Sequence, residues 1–196
     1  MRVVAGQHRG RNLKAPPGDA TRPTGARVKE ALFSILGNVE GERVLDAYAG
    51  SGALGIEALS RGASFAAFVE SARPALTCLR DNLSALALTG AARVLPLRAE
   101  TALAQLEPHA PFDLVLCDPP WREAKAAREL LERWASAGLF AAQARVVLEH
   151  SAKDPQPPPL SESPLQILDA RRWGDTAVTI FGLKSSPADV PGPAHP

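Results

Sequence analysis

The 196-residue sequence has little cysteine, few aromatic residues and no long apolar run, and each scarcity excludes a class of protein. Its two cysteines, Cys78 and Cys117, cannot form a disulfide framework and lack the spacing of metal ligands, so we predict no metal site. No stretch approaches the ~18 apolar residues that a membrane-spanning helix needs. The charged N-terminus lacks the apolar core of a signal peptide, which predicts a cytoplasmic protein with no membrane partner.

The net charge of +1 conceals a strong asymmetry along the chain. Residues 1–29 carry seven basic side chains against the single acidic Asp19, a local charge of +6, which leaves −5 for the remaining residues. Such segregation is typical of proteins that bind a polyanion. The alternative is a solvated basic tail, but glycines and prolines interleave with the charges and favour a shaped loop. The basic residues are Arg2, Arg9, Arg11, Lys14, Arg22, Arg27 and Lys29.

Beyond this segment, apolar strands alternate with helices, which predicts an α/β fold with a mostly parallel sheet covered on both faces. A helix is predicted from Thr24 to Leu36, and the later helices at 53–61, 74–88, 101–106 and 124–135. The strands are predicted at 43–48, 64–69, 93–97, 112–117 and 145–149. Two final strands, 165–171 and 177–183, have no helix between them and should pair as an antiparallel hairpin. The chain thus divides into a basic extension (1–29), an α/β domain (30–184) and a proline-rich tail predicted to be disordered (185–196).

A glycine-rich turn, Asp46-Ala47-Tyr48-Ala49-Gly50-Ser51-Gly52, follows the first predicted strand. Ligands of open α/β sheets bind beyond the carboxyl ends of the strands, and glycines there let a ligand approach the backbone. Glu70, at the end of the second strand, can accept hydrogen bonds from both hydroxyls of a ribose. The glycine spacing is not G-x-G-x-x-G, and Asp46 would repel a phosphate but suit an ammonium or sulfonium group. The alternative is a tight strand-to-helix connection that binds nothing.

The fourth predicted strand ends in Asp118-Pro119-Pro120-Trp121. A carboxylate and a proline carbonyl can accept hydrogen bonds from a flat amine, while an aromatic ring stacks on the base that carries it. Together with the glycine-rich turn, this motif predicts methyl transfer from S-adenosylmethionine to an exocyclic nitrogen. The prolines should also leave their carbonyls free of local hydrogen bonds. The alternative is a plain proline turn in which Trp121 only packs.

Cys117, directly before the motif, offers a competing interpretation as a nucleophile for carbon methylation. A cysteine inside an apolar strand is more often a packing residue, and we favour that interpretation.

The motifs together resemble the RsmD family of bacterial 16S ribosomal RNA guanine-N2 methyltransferases. The resemblance covers roughly residues 2–183, and its most specific part is the basic N-terminal signature. It is carried by Arg9-Gly10-Arg11, Thr21-Arg22-Pro23-Thr24, 27–33, 46–55, 57–62, 118–121 and Gly174-Asp175-Thr176.

The resemblance implies a class I methyltransferase fold, Rossmann-like and seven-stranded with a reversed C-terminal hairpin, and S-adenosylmethionine as the cofactor. It implies transfer to N2 of one guanine of 16S rRNA. Separately, we expect the substrate RNA to lie within an assembling small ribosomal subunit, and nothing in the sequence requires more than a monomer. The tetrad Asp118, Pro119, Pro120 and Trp121 takes the catalytic positions, with tryptophan where relatives carry tyrosine or phenylalanine. The candidate cofactor residues are Asp46, Ala49, Gly50, Ser51, Gly52, Glu70, Arg98 and Ala99. The candidate RNA-binding residues are Arg9, Arg11, Lys14, Arg22, Thr24 and Arg27.

Arg98 is a departure from the family pattern. Relatives place a small polar or acidic residue near this position to hold the adenine amine, and an arginine side chain cannot accept a hydrogen bond. Adenine is then expected to contact the Ala99 backbone N–H or Glu100 instead.

Two rival functions remain open from the sequence. One is methylation of adenine N6 or of a protein glutamine, although those families more often carry asparagine at the position of Asp118. The other is an RNA-binding module without catalysis, which the intact tetrad disfavours.

Overall fold

A computed structural model of the chain describes residues 1–16, 26–154 and 162–184. Its helices are α1 (Ala26–Leu36), α2 (Ala53–Ser60), α3 (Arg73–Ala85), α4 (Leu103–Leu106) and α5 (Ala124–Ser136). Its strands are β1 (Arg43–Ala47), β2 (Phe65–Val69), β3 (Ala92–Leu95), β4 (Phe112–Cys117), β5 (Phe140–Ser151), β6 (Leu165–Trp173) and β7 (Thr176–Leu183). Residues 17–25, which include Arg22 and Thr24, and the predicted tail 185–196 lie outside the described residues.

The seven strands form one sheet in the order β3-β2-β1-β4-β5-β7-β6. The pairs from β3 through β5 are parallel, whereas β7 runs antiparallel to both β5 and β6. The predicted α/β class and the reversed hairpin are therefore confirmed. The strand order reverses between β1 and β4, where an open α/β sheet forms its ligand crevice.

Helices cover both faces of the sheet because the central strands are apolar on both sides. Val44 and Leu114 pack with α1, α2 and α3 in one buried cluster. Leu45 and Val115, the next residues along the same strands, pack with α4 and α5 in a second cluster. Neighbouring residues of a strand point to opposite faces, so these two clusters define the two faces. We call the side of α1, α2 and α3 the first face.

Several strand limits differ from the predictions by one or more residues, and two of these differences have a local physical reason. β3 ends at Leu95 rather than residue 97, since Pro96 has no N–H to donate to the ladder. β5 begins at Phe140 rather than Arg145, because an irregularity in its pairing with β4 separates its first residues from the regular register. Those first residues, Ala-Ala-Gln-Ala after Phe140, lack the apolar pattern that identifies a strand.

None of the helices in the described ranges is long and apolar enough to cross a bilayer. Within the same ranges, the side chains of histidine, cysteine and the acidic residues form no group that could hold a metal ion.

Candidate active site

The turn after β1 is held by the carboxylate of Asp46. This side chain is 1% exposed, points to the first face and accepts a hydrogen bond of 2.8 Å from the Gly55 N–H of α2. A Cβ at Gly55 would lie 2.4 Å from the ring of Phe68, so only glycine lets α2 approach the sheet this closely. Tyr48 has a φ of +62° and Gly50 of +56°, conformations that side chains rarely adopt and that give the turn its shape.

The pKa of Asp46 is raised to about 7, chiefly by burial and in smaller part by the nearby Asp118 and Glu70 carboxylates, while the hydrogen bond from Gly55 opposes this shift. Because the folded chain binds this proton more tightly than the unfolded chain does, the Asp46 contribution to stability is complete below the ordinary value of 3.8. It is lost as the pH rises toward 7.

We therefore expect the Asp46→Asn variant to gain stability relative to the wild type as the pH rises from 4 to 7, by about 4 kcal/mol at most. Asparagine keeps an oxygen that can accept from Gly55 but carries no charge to bury. Urea unfolding of both proteins at several pH values measures the difference. Parallel stability curves across this range would show that Asp46 titrates normally in the folded chain.

Glu70 follows β2 and its carboxylate is fixed by three backbone groups. One oxygen accepts from the Gly50 N–H at 2.8 Å, and the other accepts from Ser71 and Ala72 at 2.8 and 2.7 Å. The side chain thus ties the glycine turn to the start of α3 and stands partly exposed at the crevice. Each carboxylate oxygen has more than one lone pair, so these contacts leave acceptor capacity for a ligand.

A cavity of about 630 Å³ joins the glycine turn to the end of β4. This volume lies within the range of ~300–1,000 Å³ typical of small-molecule sites. From the predicted residues it takes Gly50, Glu70, Arg98 and Ala99, together with Asp118, Pro119, Pro120 and Trp121. Asp46, Ala49, Ser51 and Gly52 do not line it, and three of them, Asp46, Ala49 and Ser51, are at most 8% exposed. These residues support the turn from the protein interior and do not form part of the cavity lining.

Asp118 stands at the wall of this cavity, and burial raises its pKa to about 6. Near neutral pH the carboxylate form is therefore present but can take up a proton easily. Pro119 is buried, and Trp121 begins a short 3-10 turn that leads into α5. The Pro120 carbonyl accepts a hydrogen bond of 2.7 Å from the Glu123 N–H. The expectation of two carbonyls without local partners was thus wrong for Pro120, because the 3-10 turn uses its carbonyl.

Cys117 is 2% exposed, packs in the second cluster and does not line the cavity. Burial raises the pKa of its thiol well above the ordinary value, and the Asp118 and Asp46 carboxylates add to this shift. A thiol that is buried and resists ionisation is a poor nucleophile, so the packing interpretation is confirmed.

Arg98 and Ala99 lie at the far end of the cavity from Asp118. The Arg98 side chain points toward solvent and pairs with Glu100 at 3.3 Å. Ala99 is 4% exposed and starts a 3-10 turn, so its N–H has no partner within that turn. Glu100 also lies 3.5 Å from the Tyr48 hydroxyl. The Ala99 backbone and the Glu100 carboxylate are therefore both available to a ligand, as the sequence suggested.

Glu100, named above only as an alternative contact for adenine, also lines the cavity. So do ten residues to which the sequence gives no role: Tyr48, Val69, Ser71, Ala72, Ala75, Leu97, Arg122, Glu123, Glu149 and Thr176. Tyr48 belongs to the glycine turn and Thr176 to the Gly174-Asp175-Thr176 stretch, but the sequence alone indicates no role for either. Glu149 carried a weak signal, since an acidic residue ends an otherwise apolar strand.

The basic N-terminal segment is docked on α2 rather than solvated. The backbone N–H groups of Val4 and Ala5 donate to the two carboxylate oxygens of Glu57, at 2.8 and 2.9 Å. Glu57 is fully buried and also forms ion pairs with Lys29 at 3.0 Å and Arg61 at 2.9 Å. The alternative of a free basic tail is therefore excluded for residues 1–14.

The far end of the segment reaches the glycine turn through Asn82 of α3. The Asn82 amide accepts from the Lys14 N–H at 2.8 Å and donates to the carbonyls of Lys14 and Ser51, at 3.1 and 3.0 Å. Arg9, Arg11 and Arg27 are exposed, as is Lys14, which pairs with the exposed Asp81 at 2.8 Å. The described members of the predicted RNA-binding set therefore present their charges to solvent.

Comparison with known proteins agrees with the motifs and the fold. The family model described as "Conserved hypothetical protein 95" matches residues 1–182. The chain belongs to this family, that of RsmD and YlbH. It is 38% identical over 158 residues to ribosomal RNA small subunit methyltransferase D of Escherichia coli, which covers 80% of this chain and 78% of that protein. It is 37% identical over 183 residues to YlbH of Bacillus subtilis, which covers 92% and 98% of the two chains.

Solved structures give the same result for the fold. The chain superposes on yhhF of Escherichia coli with a TM-score of 0.82 and 33% identity, covering 95% of this chain and 99% of that one. It also superposes on SMU.776, a structure complexed with SAH, with a TM-score of 0.65 and 14% identity over 81% and 49% of the two chains. The second likeness shows the fold alone. The fold is that of class I S-adenosylmethionine-dependent methyltransferases, and S-adenosylmethionine is the cofactor of the family.

The residues of the cavity fit S-adenosylmethionine. The Glu70 carboxylate at the crevice suits the ribose hydroxyls, and the apolar Val69, Ala75 and Leu97 form a wall that suits a flat adenine. The acidic groups Glu70 and Asp118 in the lining complement the ammonium and sulfonium charges of the cofactor. A phosphate-bearing ligand would meet the same carboxylates unfavourably.

Proposed function

We propose that this protein transfers a methyl group from S-adenosylmethionine to N2 of one guanine in 16S ribosomal RNA. The observation that carries the proposal is that the Asp118–Trp121 motif and the Gly50–Glu70 crevice line one cavity. Donor and acceptor can therefore meet without a large rearrangement. The sequence relation to ribosomal RNA small subunit methyltransferase D supports rRNA as the substrate.

The chemistry follows from the weak nucleophilicity of an exocyclic amine, whose lone pair is delocalised into the ring. Hydrogen bonds from the amine to Asp118 and to the Pro119 carbonyl favour a pyramidal nitrogen and direct its lone pair. The bound cofactor supplies an electrophilic methyl carbon on its sulfonium. A nitrogen–carbon bond forms as the sulfur–carbon bond breaks, and the nitrogen then loses one proton. Asp118, with a pKa raised to about 6, can accept that proton and release it to water.

Positioning supplies much of the rate enhancement in this scheme. Trp121 would stack on the target base, which must leave its helical stack to reach the cavity. Glu70, Gly50 and the Ala99 backbone are assigned to the cofactor, and Asp46, Ala49, Ser51 and Gly52 are assigned to shaping the turn that holds it.

The basic segment is assigned to the RNA backbone. Residues 1–29 act in this proposal as the RNA-binding extension of a catalytic domain formed by residues 30–184. An assembling small subunit is the proposed substrate and a monomer the proposed active form. Arg9, Arg11, Lys14 and Arg27 supply charges to phosphates, as does Arg22 outside the described residues. Thr24, also outside them, supplies a hydroxyl that can donate a hydrogen bond to a phosphate.

Nucleoside analysis tests the function directly. Purified protein is incubated with methyl-labelled S-adenosylmethionine and either naked 16S rRNA or assembled 30S particles. We expect labelled N2-methylguanosine at one mapped position. Label in N6-methyladenosine, or in a glutamine of a ribosomal protein, would instead support the rival methyltransferase functions. RNA binding with no label on any acceptor would support a non-catalytic module.

Loss of the exposed charges should weaken RNA binding in a salt-dependent way. For the Arg9→Ala, Arg11→Ala double variant, we expect the slope of log K against log salt to decrease by about one unit per lost phosphate contact. Arg133→Ala removes an equally exposed charge from the last turn of α5 and serves as the matched control. Equal slopes for the wild type and the double variant would mean that these arginines do not contact phosphates.

A further inference from the structure

Glu149 is a buried carboxylate on the cavity wall that the mechanism above does not use. It lies near the end of β5, is 7% exposed and lines the same cavity as Asp118. Cys117 of β4 pairs in parallel register with Leu148 of β5, so Asp118 and Glu149 occupy the next register position. Neighbouring parallel strands are about 4.8 Å apart, and residues at one register position point to the same face. With this register continued one residue beyond the last pair, the two carboxylates lie side by side on the cavity wall.

The location of Glu149 separates it from the part of the cavity assigned to the cofactor. Glu70 and Ala99 follow β2 and β3, on one side of the point between β1 and β4 where the strand order reverses. Glu149 lies on the other side, with Thr176 at the start of β7 as a second lining residue. On this side the cavity is lined by the tetrad, by Arg122 and Glu123 after it, and by Glu149 and Thr176. A base held by the tetrad would therefore lie on the side of Glu149.

The hydrogen-bonding edge of guanine matches two adjacent acceptors. Guanine presents an N1–H donor directly beside its N2 amine, whereas N1 of adenine is an acceptor. A carboxylate beside the one that holds the amine would thus bind the guanine edge and repel that of adenine. Sites that place an acceptor opposite a donor of the substrate reject analogues that lack this donor, because two lone pairs then face each other.

We propose that Glu149 is a specificity-determining residue that accepts a hydrogen bond from guanine N1–H while Asp118 accepts from the N2 amine. This inference rests on the proposed function, since it assumes a guanine acceptor. It adds the means by which the site distinguishes guanine from other bases that carry an exocyclic amine.

The experiment compares two forms of a synthetic RNA that carries the mapped target position. One form has guanosine there, and the other has 2-aminopurine riboside, which keeps the amine at C2 but has a lone pair at N1. The wild type should prefer guanosine by about tenfold or more in kcat/KM. Glu149→Gln should reduce this preference by about tenfold, because a glutamine amide can either accept from N1–H or donate to an unprotonated N1. The loss of the O6 group in 2-aminopurine affects both enzymes alike and cancels in the ratio.

Calorimetric titration with S-adenosylmethionine checks that the Glu149→Gln variant is folded, and Glu129→Gln on the exposed side of α5 is the matched control. An equal preference in the wild type and Glu149→Gln would overturn the role of Glu149. If the wild type methylates the two RNAs at equal rates, the role of Glu149 is also overturned, and this result does not depend on whether the variant folds. If no methyl group is transferred to the guanosine RNA, the proposed function itself is overturned. Transfer with the same guanosine preference in both enzymes overturns only the role of Glu149.

Discussion

Replacing Asp118 by alanine should reduce methyl transfer by about 10²- to 10⁴-fold while leaving the affinity for S-adenosylmethionine nearly unchanged. The reason is the position of Asp118, which follows β4 on the cavity wall, whereas Glu70 and Ala99, which we propose to bind the cofactor, follow β2 and β3. Alanine removes both the acceptor for the amine and the group that takes its proton. Single-turnover transfer of labelled methyl to 16S rRNA measures the first effect, and calorimetric titration of the cofactor measures the second.

Asp118→Asn is the informative partner variant, since asparagine keeps one acceptor oxygen but cannot take a proton at neutral pH. Its activity should fall between that of the wild type and that of Asp118→Ala. The wild-type rate should also rise with pH through about 6, because the carboxylate form is the acceptor and dominates above that pKa. Full turnover by Asp118→Ala would remove this residue from the mechanism.

Glu57→Ala should be among the most destabilising single substitutions, lowering the free energy of unfolding by about 3–5 kcal/mol. Glu57 is fully buried, and its substitution would leave Lys29, which is 3% exposed, without its carboxylate partner. Val4 and Ala5 would also lose the acceptor for their N–H groups. Burial opposes ionisation of Glu57, but the hydrogen bond from Val4 and the charge of Lys29 outweigh it and hold the pKa below its ordinary value. The ionised form is therefore integral to the folded chain.

Urea unfolding at pH 7 measures the loss, and hydrogen exchange at the Val4 and Ala5 amides reports whether the segment detaches. Glu57→Gln keeps the size and an acceptor oxygen, so it separates the loss of charge from the loss of shape. Asp81→Ala breaks the exposed pair with Lys14 and should change the stability by less than about 1 kcal/mol. A Glu57→Ala variant as stable as the wild type would show that the segment is held by other contacts.

Much of the fold followed from local patterns in the sequence. The alternation of apolar strands with helices predicted the parallel sheet, and the absence of a helix after β6 predicted the reversed hairpin. The positions of Gly50, Glu70 and Asp118 at strand ends were also visible, since a strand boundary depends on neighbouring residues. The rule that parallel strands share one carboxyl edge then placed these residues together.

Other features could not be predicted because they depend on contacts between distant parts of the chain. Glu57 looked like an ordinary helix residue, and only the docking of a segment more than fifty residues away makes it a buried ion-pair centre. The 3-10 turn that uses the Pro120 carbonyl likewise depends on how α5 begins.

The sequence by itself determined the class of fold and the cofactor, and it identified the motif that we propose to hold the acceptor, because each depends on residue types at short and recognisable spacings. Only the tertiary structure decided that Asp46 supports the glycine turn from below and that Glu149 stands beside Asp118. Both depend on register and burial: a shift of one residue in the pairing of β4 with β5 would turn Glu149 to the other face, and nothing in the local sequence sets that register.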